Sequence, residues 1–306
     1  MKHLFIVNPV AGGRDRTQDV TEAAQAVLGQ AGLDFEVYVA KAPMDAVEKI
    51  RADAAVCDDL RVFACGGDGT LNECVNGAAK LPNVSVTSYP GGTGNDFIKA
   101  FGEDRERFFD LAELVYGEIR KFDLIECCGR YSVNICSVGA DARIGTDVHK
   151  YSGIPVLGTG PMAYVTSTVV NVFKGLNGPV KVTSKEYSYE GMSAIVTACN
   201  GQYYGGGFRP SVDARPDSRS MEMFVVKEVK LHKFAGLIGK YAKGNWRAIP
   251  KDLLHHFYSD HVEIETPEPV VVNIDGEALY SDHINFTLVP AGVNFIVPKN
   301  MKMYQE

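Results

Sequence analysis

A parallel α/β unit followed by an antiparallel β-sandwich is the fold class that this 306-residue sequence predicts. Three observations carry the expectation. In the first hundred residues, apolar strand-like runs at 4–7, 35–39, 62–65 and 84–89 alternate with helical segments at 17–31 and 45–54 and with segments starting at Leu71 and Asp96. Strands that alternate with helices imply a parallel sheet joined by crossover helices. After about Asp123 the rhythm changes to short apolar runs at 131–138, 180–184, 192–199, 221–226, 262–265, 270–274 and 285–289, separated by Gly, Pro and Asp-Gly turns. That spacing predicts an antiparallel sandwich, interrupted by helical inserts at Gly160-Pro161 and at 231–246. The domains expected are therefore 1–125, with 292–306 as a tail that could return to it, and 126–291. The third observation is that the strand ends of the first unit carry loops rich in glycine.

Composition bounds the function. A chain of 33.3 kDa has room for one large or two medium domains. Its net charge of −7 argues against a general nucleic-acid binder. Seven cysteines without C-x-x-C spacing suggest free thiols in a reducing cytoplasm, not a disulfide framework or a zinc site. No run approaches the ~20 apolar residues of a membrane span; the nearest, 162–173, is short and broken by Thr and Asn. The apolar run at the N-terminus is too short for a signal peptide. A cytoplasmic protein, at most peripheral to the inner membrane face, is expected.

The stretch V-F-A-C-G-G-D-G-T-L-N-E, 62–73, runs a strand into three glycines around Asp68 and then toward a helix. Thr70 with Glu73 has the spacing of a capping box, which would open the helix just after the glycines. A glycine-lined helix N-terminus suits phosphate, although a lone Gly-Gly is more simply a tight turn. Recurrence shifts the balance. P-G-G-T-G-N-D-F, 90–97, repeats the device after the next strand, and V-N-P-V-A-G-G-R-D-R, 7–16, supplies Gly12, Gly13, Arg14 and Arg16 after the first. The carboxylates of Asp68 and Asp96 would repel phosphate unless a cation lay between, and Mg²⁺ bound by a few carboxylates plus phosphates is the natural mediator.

Together, G-G-D-G-T-L-N-E, G-T-G-N-D-F, the early Asn8-Pro9 with its glycine pair and N-I-D-G-E at 273–277 resemble the diacylglycerol kinase catalytic family, which includes bacterial soluble lipid kinases and is related to sphingosine and ceramide kinases. The motifs span nearly the whole chain in the family's order. The resemblance implies a nucleotide domain of the lipid kinase/NAD kinase type, a sandwich domain for the lipid, and ATP and Mg²⁺ as cofactors. At the nucleotide it places Asn8, Pro9, Gly12, Gly13, Arg14, Arg16, Gly66, Gly67, Asp68, Gly69, Thr70, Glu73, Gly92, Thr93, Gly94 and Asn95. Around the metal it places Asp68, Asp96 and Asp123, with Asp217 as the remnant of a second metal segment. It makes Asp275 the general base with Glu277 beside it, while the same segment also reads as an ordinary Asp-Gly hairpin. Diacylglycerol is the leading substrate; another lipid alcohol, NAD, or a catalytically silent sensor are the alternatives. This chain departs from the family's bacterial members in carrying Ala40-Lys41 where they usually have a threonine, and Arg219 in place of a glycine. Lys150 and Lys174 are candidates for the family's phosphate-side lysine.

A basic stretch completes the picture. Lys227, Lys230, Lys233, Lys240, Lys243, Arg247 and Lys251 surround Leu231, Phe234, Leu237, Ile238 and Tyr241 at helical spacing, with Trp246 following. The apolar residues read as a helix face packed on the sandwich, and the lysines as a surface for an anionic membrane bearing the lipid substrate. A homodimer is left open. G-T-G-P-M-A at 158–163 reads as a helix start and not a dinucleotide fingerprint, and His255-His256 does not read as a metal pair.

Overall fold

The computed structural model describes residues 1–92, 94–140, 142–143 and 175–302. Thr93, Lys150, Lys174, the 158–163 motif, the apolar run at 162–173 and the helix expected at Gly160-Pro161 lie outside the described residues. Internal contacts divide the chain into unit 1, Met1–Asp123 with Pro290–Glu306, and unit 2, Leu124–Val289.

In unit 1, strands β1 (Lys2–Val7), β2 (Phe35–Val39), β3 (Leu60–Gly66) and β4 (Val84–Pro90) pair in parallel in the order β2-β1-β3-β4. Strands β1, β3 and β4 are buried almost throughout, as strands covered on both faces are. The crossovers carry helices α1 (Thr17–Ala24), α2 (Asp45–Ala54) and α3 (Asp68–Ala78), and short helices α4 (Asp96–Lys99) and α5 (Leu111–Val115) follow. Helix α1 continues into a wider π turn at Gln25–Gly29, so the helix expected over 17–31 is regular only in its first half. Helix α2 buries Ala46, Val47, Ile50 and Asp53 along one stripe and packs on α3, where a Cβ on Gly77 would come 3.0 Å from Ile50.

The end of strand β13 (Glu277–Val297) extends the parallel sheet beside β4, matching Asn294 with Ser85 and Phe295 with Val86. The buried Thr87 hydroxyl donates to the Ile296 carbonyl at 2.8 Å. Phe295 lies between Phe97, with ring centroids 4.8 Å apart, and Phe122, at 5.3 Å.

Unit 2 is antiparallel. Its strands β7 (Ile135–Gly139), β8 (Gly178–Thr183), β9 (Ser188–Cys199), β10 (Met221–Lys227), β11 (Leu254–Ser259) and β12 (His261–Ile274) run in the order β11-β10-β9-β7-β12-β13, with β8 paired to both β9 and β12. Alternate residues of β9 feed two apolar layers, Val196 and Ala198 into one and Ile195 and Cys199 into the other. A hairpin of β5 (Glu118–Cys127) with β6 (Arg130–Ser132) precedes them.

Several expectations need correction. The run at 131–138 is two strands, because Val133 and Asn134 leave the ladder between β6 and β7. The runs at 262–265 and 270–274 are one strand, β12, whose register shifts between Glu265 and Val270, around the imino residues Pro267 and Pro269. Strands β5 and β11 were not expected. On β11, His255 stacks on Tyr187 at 3.8 Å while His256 reaches the buried Glu222 at 2.7 Å, so the pair takes separate partners. Helix α6 (Leu231–Tyr241) buries Phe234 and Tyr241 in the second apolar layer, and the Tyr241 hydroxyl donates to Thr197 at 2.9 Å. Lys233 and Lys240 remain exposed.

Phe295 should be the most sensitive test of how the chain's end serves unit 1. Phe295→Ala removes a fully buried ring and should cost about 3–5 kcal/mol in the urea transition of that unit. A loss under about 1 kcal/mol would show that the returning strand is an accessory to the sheet.

Candidate functional site

Three strand ends of unit 1 meet through glycine. The Gly66 carbonyl, at the end of β3, accepts the amides of Gly91 at 2.8 Å and Gly92 at 3.2 Å from the loop after β4. A Cβ on Gly92 would stand 2.4 Å from the Gly67 Cα, and one on Gly12 would stand 2.4 Å from the Gly91 carbonyl oxygen. The neighbours are backbone atoms that cannot swing aside. Glycine at these positions is demanded by loop packing on loop, before any ligand is considered. Gly13 differs: its φ is +78° and nothing lies within 4 Å of its Cβ position.

Polar groups lock the same loops. The Asn8 side chain accepts the Val10 amide at 3.1 Å, turning the first loop. Arg16 donates to the Pro90 carbonyl at 2.7 Å, with its guanidinium 5.8 Å from the Tyr89 ring centroid. Arg14 instead pairs with Asp19 at 2.5 Å on the exposed surface. Asn95 adopts the left-handed conformation (φ 49°) and donates to the Gly92 carbonyl at 2.9 Å, closing the loop around Gly94.

The capping box is not formed. Helix α3 begins at Asp68 with Gly67 as its N-cap, so Thr70 lies inside the first turn. Gly67, the N-cap, brings no side chain with which to cap the first-turn amides. The Thr70 hydroxyl is turned back over Gly66 and is buried with no hydrogen-bond partner among the described residues. An orphaned buried hydroxyl beside uncapped helix amides is suited to an anionic oxygen. Glu73 lies one turn further along α3.

Among the acidic residues, Asp68 and Asp96 are brought together: the Asp96 amide donates to the Asp68 carboxylate at 2.6 Å. The Asp96 side chain is buried and pairs with Lys99 at 2.5 Å. Asp123 is fully buried and accepts the Ala291 amide at 2.8 Å. Asp217 is exposed in a turn where Arg219, with φ 61°, holds a left-handed conformation that glycine would adopt without strain. No group of three or more His, Cys, Asp or Glu side chains arranged to hold a metal occurs among the described residues. The donors present fit an Mg²⁺ that arrives with most of its shell supplied by phosphate and water, and do not form a protein cage.

In unit 2, Asp275 and Gly276 form the two-residue turn between β12 and β13, with φ of 52° and 98° as a hairpin of this type requires. The hairpin reading of this segment is therefore correct. Yet the Asp275 carboxylate also gathers donors from the break between β6 and β7. Oδ1 accepts from the Ser132 hydroxyl at 2.5 Å, the Ile135 amide at 2.9 Å and the Asn134 amide at 3.1 Å, and Oδ2 accepts the Val133 amide at 2.8 Å. Asn273 holds the turn by accepting the Gly276 amide at 2.7 Å. Glu277 is exposed. Sequence reasoning missed this cradle; the polar Asn134 set between Val133 and Ile135 was the available signal.

A glycine-looped parallel α/β unit followed by an antiparallel unit with an acceptor turn defines the class, and comparison gives the family. Residues 2–127 match the model described as diacylglycerol kinase catalytic domain, and 134–297 match the YegS C-terminal NAD kinase beta sandwich-like domain. The chain belongs to the diacylglycerol kinase catalytic-domain family. It is 26% identical over 254 residues to a Staphylococcus carnosus (strain TM300) protein named "Putative lipid kinase", covering 79% of this chain and 82% of that one. A crystal structure titled as "a putative diacylglycerol kinase" from Bacillus anthracis str. Sterne superposes with a TM-score of 0.74 at 26% identity, over 99% of this chain and 97% of that one. A second structure from the same organism shares the fold with a TM-score of 0.68 at 23% identity, over 98% of each chain.

The glycines separate loop packing from ligand space. Gly92→Ala should cost about 1–3 kcal/mol by driving a Cβ into the Gly67 backbone. Gly13→Ala, with open space but positive φ, should cost about 1–2 kcal/mol. Thermal melts ranking Gly13→Ala as clearly the worse would refute the loop-on-loop account.

Proposed function

We propose that the protein transfers the γ-phosphoryl group of ATP to a lipid hydroxyl, with diacylglycerol as the leading acceptor and phosphatidic acid as product. Family membership sets the reaction class. The observation that carries the nucleotide half is the orphaned Thr70 hydroxyl beside the uncapped start of α3, within loops fixed by glycine contacts. Phosphoryl transfer asks a protein chiefly for positioning, charge neutralisation and a proton acceptor. Asn8, Gly67, Gly69 and Thr70 would position the phosphates, with Arg16 fixing the loops around them. Bound Mg²⁺, held beside Asp68 and Asp96, would neutralise phosphate charge; Asp123 and Asp217 are assigned no more than supporting places. Asp275 would take the proton of the lipid hydroxyl, its carboxylate already oriented by four donors, with Glu277 adjacent.

Among the described residues no helix is long and apolar enough to cross a membrane. The lipid would therefore be met at a surface, and the exposed Lys233 and Lys240 of α6 are suited to an anionic one. Arg247 is paired with Asp213 at 2.7 Å, and Lys227 lies over the Tyr189 ring, which leaves them smaller parts in such a surface.

Purified protein given radiolabelled ATP should label diacylglycerol above monoacylglycerol, a sphingoid base and NAD. Labelling only NAD, or nothing despite nucleotide binding, would overturn the lipid reading in favour of a dinucleotide kinase or a sensor. Asp275→Asn should abolish turnover while ATP binding persists, and near-normal turnover would remove Asp275 from the chemistry.

A further inference from the structure

The backbone of the β6–β7 break is held from two sides. Val133, Asn134 and Ile135 are buried, and the first two stand outside any ladder. Each of their amides and carbonyls therefore needs a partner within the protein. The three amides go to the Asp275 carboxylate, Val133 to Oδ2 and Asn134 and Ile135 to Oδ1. The carbonyls find other donors. That of Val133 accepts the Asn200 side-chain amide at 2.7 Å. That of Asn134 accepts the main-chain amides of Asn200 and Gly201, each at 2.8 Å, and that of Ile135 accepts the Asp275 amide at 3.1 Å. Asn200 is fully buried and follows Cys199, the last residue of β9, which pairs with Ile135. Gly201 has no room for a side chain: a Cβ there would stand 2.3 Å from the Asn134 Oδ1 and 3.2 Å from the Asn134 Cα.

These bonds share peptide planes. A trans peptide is flat, with its C=O and N–H pointing in opposite directions. The unit made of the Val133 carbonyl and the Asn134 amide thus has one end on Asn200 and the other on Asp275. The next unit, the Asn134 carbonyl with the Ile135 amide, lies the same way between the Asn200–Gly201 backbone and Asp275. Turning either plane at its Asn200 end turns the N–H that it shows to the carboxylate. Hydrogen bonds weaken steeply as that alignment is lost.

We propose that Asn200 is a positioning residue for phosphoryl transfer: acting through two peptide units of the β6–β7 break, it sets the angle at which Asp275 is held to meet the acceptor hydroxyl. Gly201 serves the same end by letting its backbone close on Asn134. Asn200 itself touches no reacting atom. Without its carboxamide the buried Val133 carbonyl loses its donor, and the peptide unit that carries it turns toward water. The Asn134 amide turns with it, and Oδ1 of Asp275 loses one of the bonds that fix it. A general base must stand within hydrogen-bond reach of the proton it takes. A turned carboxylate therefore slows transfer without weakening the hold on either substrate. The effect on turnover rests on the kinase reading; the effect on the amides does not.

The test compares Asn200→Ala with Tyr241→Phe, which removes a different buried hydrogen bond of unit 2, the one from Tyr241 to Thr197. Asn200→Ala should lower kcat on the lipid acceptor about tenfold to a hundredfold, as a small misplacement of a reacting group does. The KM values for ATP and for lipid should stay near those of the wild type. Hydrogen exchange at the Asn134 and Ile135 amides should quicken about tenfold or more in Asn200→Ala. Tyr241→Phe should change neither kcat nor exchange at these amides. Gly201→Ala, which presses on Asn134 directly, should reproduce both effects. Should Asn200→Ala fail to fold, Asn200→Ser, whose hydroxyl is too short to reach the Val133 carbonyl, takes its place in both measurements. Unchanged kcat in the Asn200 variant, an equal loss in Tyr241→Phe, or unaltered exchange at the two amides would overturn the proposal. If the wild type labels no lipid, the kinase reading fails, and exchange in the Asn200 variant still decides whether Asn200 fixes the peptide units that face Asp275.

Discussion

The contact between the Gly66 carbonyl and the amides of Gly91 and Gly92 is the constraint on which unit 1 depends. It brings the ends of β3 and β4 so close that Gly67 and Gly92 leave each other no room for a side chain. Once those loops touch, α3 must start at Asp68, without a capping side chain, and Asp68 falls where it accepts the Asp96 amide. The site's most distinctive features, its bare helix start and its unpartnered Thr70 hydroxyl, follow from this packing. Glycine here serves two ends. It lets the loops approach, and it leaves the backbone as the surface that a ligand would meet.

In unit 2 the corresponding constraint is a carboxylate on a turn. Asp275 adopts a left-handed conformation that suits its hairpin, and its side chain organises the break between β6 and β7 by collecting three amides and a hydroxyl. Those amides would otherwise need partners of their own, since unpaired backbone donors are costly when buried. The turn therefore stabilises the break, and the break orients the turn. This reciprocity explains why Ser132 and Asn134, distant in sequence from Asp275, belong to the same structural element.

Much of this was legible in the sequence because it rests on local signals. Strand β2 and helix α2 follow from apolar periodicity and lie where the pattern puts them, at Phe35–Val39 and Asp45–Ala54. The glycine loops and the Asp-Gly turn were visible for the same reason. What escaped depended on partners far along the chain. Strand β11 mixes His255, His256 and Tyr258 with apolar residues, and it becomes a strand because β10 offers it a ladder. The capping box failed because Thr70 and Glu73 satisfy a spacing rule while the Gly66 loop contact fixes the helix start earlier. The apolar face of α6 was readable; that Tyr241 would reach Thr197 on β9 was not.

The division of the chain has a consequence for its synthesis. Along the chain, unit 2 interrupts unit 1: the strand beside β4 is supplied by Asn294 and Phe295, after residues 124–289 have intervened. The Thr87–Ile296 hydrogen bond joins groups 209 residues apart. A growing polypeptide therefore exposes the flank of β4, with Val86 and Thr87, until the inner unit has been made and its last strand continues outward past Pro290. Such long-range closures are slow to form and leave an unpaired edge while they wait. For this protein the half that emerges first is the half that must finish last.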